Sequence, residues 1–106
     1  MTDCWIAPNS LFDGQDIVYG QAVRIVDGRI TEIAKAPVSA VRIKGCLTPG
    51  FVDLQVNGGG GVMLNTTPTR GGMADIAAAH RIFGTVAIMP TVITDHWAVL
   101  DQAVEA

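Results

Sequence analysis

The stretch Leu47-Thr48-Pro49-Gly50-Phe51-Val52-Asp53-Leu54-Gln55-Val56-Asn57-Gly58-Gly59-Gly60-Gly61 divides the chain into two textures. Residues 51–57 read as one strand that runs into four glycines. Strand side chains alternate between faces. Val52, Leu54 and Val56 share an aliphatic face suited to packing under helices. Phe51, Asp53, Gln55 and Asn57 share the other, which turns polar toward the strand's C-terminal end. In parallel α/β folds that end carries the active site. Gln55 and Asn57 therefore point into a candidate site, with Asp53 deeper. A hydrogen-bonded polar cluster without chemistry fits the same spacing equally well.

On the C-terminal side the pattern is that of an α/β unit. A polar loop surrounds Asn65-Thr66-Thr67-Pro68. Residues 73–83 read as a helix, with Met73, Ile76, Ala77, His80 and Phe83 near one stripe and Gly84 as terminator. Residues 85–91 are nearly all apolar, as in a parallel strand covered on both faces. Thr94 or Asp95 then caps a second helix from His96 onward. Strand, helix, strand, helix is the opening of an α/β fold with right-handed crossovers. Two strands and two helices cannot cover each other's apolar faces, and no third strand follows before Ala106. The chain is thus expected to be the N-terminal piece of a longer protein. The alternative is a small domain that completes itself by oligomerising.

On the N-terminal side, residues 1–47 read as all-β. Ala22-Val23-Arg24-Ile25-Val26 and Arg29-Ile30-Thr31-Glu32-Ile33 flank Asp27-Gly28, a two-residue hairpin signal of type I′. That turn sets Val26 opposite Arg29 and Ile25 opposite Ile30. An earlier turn sits at Asp13-Gly14, and a further short strand at 41–43. The expected division is 1–47, a β-domain, and 48–106, the α/β part.

Composition narrows the function classes. The 106 residues are 49% apolar and 16% charged, so the chain is not disordered by composition. Its net charge is −3, without a basic run, which argues against nucleic acid or an anionic membrane as main partner. No stretch reaches the roughly 18 apolar residues of a membrane span. The first residues lack a positive n-region and an apolar h-region, so no signal peptide is read. Two cysteines, Cys4 and Cys46, make no disulfide framework, and free thiols fit a cytoplasmic location.

Other chemistry-bearing residues have plain readings. The four glycines lack the Gly-Lys-Ser/Thr of a phosphate loop and fit a close backbone approach to a ligand or a neighbouring strand. His80 and His96, 16 residues apart, do not make a zinc site. His80 reads as packed, His96 as solvated, Trp5 and Trp97 as packing residues, and Arg70 as a solvated cation.

The stretch Pro49-Gly50-Phe51-Val52-Asp53 resembles the opening of the first barrel strand in the amidohydrolase superfamily. The hairpin with Val26-Asp27-Gly28-Arg29-Ile30 resembles the segment that starts a small β-sandwich beside that barrel. Most members continue Asp-x-His-x-His, a pair that binds metal. Here Gln55 and Asn57 occupy the positions of that His-x-His pair. Gln55-Val56-Asn57-Gly58 with the following glycines, and Met89-Pro90-Thr91-Val92-Ile93-Thr94, are similar to the N-acetylglucosamine-6-phosphate deacetylase family.

The resemblance implies an α/β fold: the start of a (β/α)8 TIM-type barrel, over 48–106, preceded by part of a β-sandwich over 1–47. It implies a hydrolase that releases acetate from N-acetylglucosamine 6-phosphate, using one divalent metal ion, zinc or similar, per active site. A homodimer acting on a small amino-sugar phosphate is implied; the free thiols and the charge pattern give the cytoplasmic location and the expectation of neither nucleic acid nor membrane as partner. Gln55, Asn57 and Gly58 would line the site and Asp53 would be structural. Amide side chains are poor zinc ligands. Gln55 and Asn57 thus argue for a metal held elsewhere; the resemblance implies that its ligands and the catalytic base lie beyond Ala106, and the 106 residues alone are expected to bind no metal and to be inactive. The other readings are an N-acetylgalactosamine-6-phosphate deacetylase and a truncated, inactive folding or interaction module.

Overall fold

A computed structural model describes residues 2–106. The chain divides into two compact units, 1–49 and 50–106.

The first unit holds seven strands: β1 (Asp3–Ala7), β2 (Ser10–Phe12), β3 (Ile17–Val18), β4 (Gln21–Val26), β5 (Arg29–Lys35), β6 (Val41–Arg42) and β7 (Cys46–Leu47). They form a four-stranded sheet, ordered β5-β4-β1-β6, and a three-stranded sheet, ordered β3-β2-β7. Residues of both sheets line one apolar cavity of 250 Å³, among them Ile6, Leu11, Val23 and Ile33. This is the layering of a small β-sandwich.

The hairpin β4–β5 has the anticipated register: Val26 pairs with Arg29 and Ile25 with Ile30. Asp27 and Gly28 have φ of 48° and 77°, the two positive values of a type I′ turn. Beyond Ile30 the register slips at Thr31, so Arg24 faces Glu32. The Arg24 guanidinium lies 5.9 Å from the centre of the Trp5 ring and grips Asp3 through Nε and Nη2, at 3.0 and 2.7 Å. That ion pair holds the Asp3 carboxyl below its usual range. Strands β1, β2, β3 and β7 are too short or too mixed to carry a period of their own. At the Asp13-Gly14 turn, Asp13 Oδ1 accepts from the amides of Gln15 and Asp16.

The second unit holds β8 (Phe51–Val56), β9 (Gly58–Gly59), β10 (Val62–Met63), α1 (Arg70–Arg81), β11 (Thr85–Pro90) and α2 (Trp97–Glu105). β8 and β11 pair in parallel, with α1 between them in sequence, as the strand–helix–strand order predicts. The core is small: Val56, Leu64, Ile76 and Ala103, flanked by Met73, Ile88 and Val92. Leu64 and Ile76 are the largest fully buried side chains, each worth about 1.5–3 kcal/mol of burial.

Several expectations need correction here. α1 begins at Arg70, not at residue 73, because the Thr69 side chain accepts from the Gly72 amide and caps a turn that carries two glycines. Gly72 is required there: a Cβ would run into the Thr67 carbonyl. The helix ends at Arg81, so Phe83 leaves the stripe and is exposed, while the chain reverses through Gly84 at φ 94°. Neither Thr94 nor Asp95 caps α2; His96 takes the cap position without a side-chain bond. Trp97 is 81% exposed, not packed. On β8 only Val56 is buried. Val52 and Leu54 are exposed, because the cluster of Leu64, Ile76 and Ala103 reaches only Val56 and no element of this unit covers the rest. Val86 and Met89 of β11 are exposed as well.

Candidate functional site

The parallel pairing brings the C-terminal ends of β8 and β11 together. The Thr91 amide donates to the Val56 carbonyl at 2.8 Å, extending the ladder one step past β11. Gln55, Asn57 and Gly58 therefore lie beside Thr91 and the loop 91–96. This is the edge at which open parallel sheets place their ligands.

Asn57 is half-buried and fully engaged as a donor. Its Nδ2 donates to the carbonyl oxygen and to the hydroxyl of Thr91, each at 2.9 Å. Its backbone carbonyl accepts from the Leu64 amide at 2.8 Å. Gln55 is exposed, and its backbone N–H donates to Asp53 Oδ1 at 3.1 Å. Asp53 thus braces the strand's backbone beneath the site.

The four glycines make a tight hairpin rather than an open loop. Gly59 pairs with Val62 and Gly58 with Met63, and the turn uses Gly60 and Gly61 at φ 60° and 82°. A Cβ on Gly58 would sit 2.5 Å from the Val62 carbonyl. The glycines permit close approach, and the neighbour is the hairpin's own second strand. His80 of α1 reaches this hairpin: its Nε2 lies 3.0 Å from the Gly58 carbonyl. The packed histidine thus fastens the glycine strand to the helix.

Sequence reasoning missed Asn65. It sits in the polar loop after β10, half-buried, and reaches across to the loop after β11. Its Nδ2 donates to the Ile93 carbonyl and to Asp95 Oδ2, both at 2.8 Å. Its Oδ1 accepts from the Ile93 amide at 3.0 Å. The bond from Asn65, and then the one from the His96 amide, hold the Asp95 carboxyl below its usual range. No local pattern signals such a partnership across 28 residues. The isolated asparagine among threonines was the one visible cue.

The residues present do not suit a metal ion. Among the described residues no three His, Cys, Asp or Glu side chains gather. At the positions of the His-x-His pair stand two neutral amides, and the Nδ2 of Asn57 faces Thr91. His80 is committed to Gly58, and His96 is exposed at the start of α2. Cys4 and Cys46 are exposed free thiols of the other unit. Among the described residues no helix is long and apolar enough to cross a membrane.

No family model matches the sequence. The chain is 52% identical over 62 residues to the N-acetylgalactosamine-6-phosphate deacetylase of Shewanella sp. (strain ANA-3), a match to 58% of this chain and 16% of that protein. In structure it is similar to the N-acetylglucosamine-6-phosphate deacetylase of Pasteurella multocida, with a TM-score of 0.88 and 27% identity over 98% of this chain and 29% of that one. It has the fold of the corresponding part of the Mycobacterium smegmatis N-acetyl-D-glucosamine-6-phosphate deacetylase mutant in complex with N-acetyl-D-glucosamine-6-phosphate. There the TM-score is 0.80, with 23% identity over 96% of this chain and 28% of that one. The chain therefore spans about a sixth of the curated relative and under a third of the solved structures. Both comparisons are with N-acetylglucosamine- or N-acetylgalactosamine-6-phosphate deacetylases, and this chain matches only part of the length of each.

Proposed function

We propose that this chain forms one wall of the active site of a hydrolase that releases acetate from an N-acetylhexosamine 6-phosphate, either N-acetylglucosamine or N-acetylgalactosamine 6-phosphate. The observation that carries it is the end of β8. Gln55-Val56-Asn57-Gly58 meets Thr91 at the C-terminal edge of a parallel pair, in a chain whose sequence and fold are similar to such deacetylases. On this reading β8-α1-β11-α2 are the first two β/α units of a TIM-type barrel, and the exposed faces of Val52, Leu54 and Val86 pack against further units. Gln55, unbonded at its side chain among the described residues, presents a neutral donor and acceptor to a polar substrate. Asn57 shapes the edge and contributes no free N–H. A divalent ion belongs to this reading too. The residues of this chain do not supply its ligands, and no step is drawn through it. A cytoplasmic homodimer completes the proposal.

The test is acetate release. The natural polypeptide carrying this sequence, purified from its source, is given the 6-phosphates of N-acetylglucosamine and N-acetylgalactosamine. Stoichiometric acetate and free amine from at least one epimer is the expected result, and the preferred epimer names the substrate. A folded polypeptide that releases acetate from neither sugar overturns the reading.

A further inference from the structure

Two loops meet at the C-terminal edge of the β8–β11 pair. One follows the glycine hairpin and carries Asn65. The other, 91–96, follows β11. Asn65 is itself rigidly seated. Leu64 beside it is buried in the core, and the amides of Thr66 and Thr67 both close onto the Met63 carbonyl, at 3.1 and 2.9 Å. From that seat one planar carboxamide meets both the N–H and the C=O of Ile93, as a neighbouring strand would, and spends its second hydrogen on Asp95. A side-chain amide that imitates a strand partner fixes the backbone of the loop it pairs with. Asn57 pins the same loop at its first residue, Thr91. The loop is thus held at both ends by asparagines, one on each side of the glycine hairpin.

We infer that Asn65 is a positioning residue: its carboxamide, with Asp95, holds the loop 91–96 in place at the edge where the N-acetylhexosamine 6-phosphate binds. This rests on the deacetylase reading. Ligands in parallel α/β folds contact the loops at the strands' C-terminal ends, and a displacement of about 1 Å can cost about a hundredfold in rate. Asn65 acts through the loop and touches no reacting atom.

The experiment compares the wild-type natural polypeptide carrying this sequence with its Asn65→Ala, Asn65→Asp and exchange-pair (Asn65→Asp with Asp95→Asn) variants. Two readouts are taken on each: hydrogen exchange at the Ile93 amide, and kcat and KM for deacetylation. In Asn65→Ala the Ile93 amide is expected to exchange about tenfold faster, as the loss of one such bond gives. The Thr91 amide, bonded to Val56, should be unchanged. KM is expected to rise about tenfold or more with kcat less affected, since the loop orders substrate rather than performing chemistry. Asn65→Asp sets two carboxylates face to face and should lose more. The exchange pair restores a 65–95 hydrogen bond and should recover part of the lost kcat/KM.

An Ile93 amide that exchanges no faster in Asn65→Ala overturns the inference. So does faster exchange with unchanged kcat and KM, which would make the contact merely structural. A wild-type protein with a protected Ile93 amide that deacetylates neither sugar overturns the deacetylase reading, and the role of Asn65 with it. An active enzyme indifferent to Asn65 overturns the role of Asn65 alone.

Discussion

Asn57, just past the end of one parallel strand, donates from a single nitrogen to both the carbonyl oxygen and the hydroxyl of Thr91, just past the end of the other. The two strand ends are tied side chain to backbone at the point where the sheet's own ladder runs out. Replacing Asn57 by Ala leaves both Thr91 acceptors short of a partner in a half-buried place. A loss of about 1–3 kcal/mol is expected. Asn57→Asp should be worse than Ala, because a carboxylate then faces the Thr91 carbonyl. Urea unfolding followed at the amide signals of 50–106 measures both, and an unchanged midpoint for Asn57→Ala would show the tie to be idle.

Gly58→Ala is expected to damage the same edge from the other side. The added Cβ meets the backbone carbonyl of Val62, which cannot rotate away, so the hairpin must open or shift. Overpacking of this kind costs about 1–3 kcal/mol. Loss of the Leu64 amide's protection from exchange would report it, since that amide is bonded to Asn57 across the hairpin.

The cap of α1 gives a cleaner experiment. Thr69→Ala removes the acceptor for the Gly72 amide and should cost about 1 kcal/mol, while Thr69→Ser should keep most of it. Gly72→Ala, though a better helix former, should destabilise, because Thr67 blocks its Cβ. Thermal unfolding of the three variants ranks Ser above Ala at position 69, and wild type above Gly72→Ala.

Asp95 supplies a pH dependence. Its folded carboxyl titrates lower than an unfolded one, because Asn65 and the His96 amide donate to its ionised form. The stabilisation is present above the ordinary carboxylate range and is lost as pH falls through the lowered folded value. A carboxyl-carbon NMR titration should show Asp95 protonating below an ordinary aspartate, and Asn65→Ala should move it back up. A normal titration in the wild-type protein would contradict the bond.

The hairpin shows what local chemistry makes legible. Asp27-Gly28 set the turn type, and the turn type set the pairing of Ile25 with Ile30. Likewise the alternation at 51–57 and the nearly continuous apolar run at 85–91 announced two strands of an α/β unit, which pair in parallel. The start of α1 was not legible. Gly71 and Gly72 lower helix propensity, and the Thr67 carbonyl that demands Gly72 is a tertiary fact. At the site, strand alternation placed Gln55 and Asn57 on one face, but gave no sign that Asn57 would be consumed by Thr91. Asn65 stayed hidden for the same reason, since its partners lie 28 and 30 residues away.

The β8–β11 pair also bears on how this stretch behaves as it is made. Among the described residues neither strand has a neighbour on its outer edge, and Phe51, Val52, Leu54, Val86 and Met89 are exposed. Thr85-Val86-Ala87-Ile88-Met89 carries no charge at all. Such an edge recruits strands from other copies, and Pro90 is its one natural stop. Residues 50–106 emerging from a ribosome are therefore a ready client for holdase chaperones, and expressed by themselves they should sediment with the insoluble fraction in proportion to their concentration.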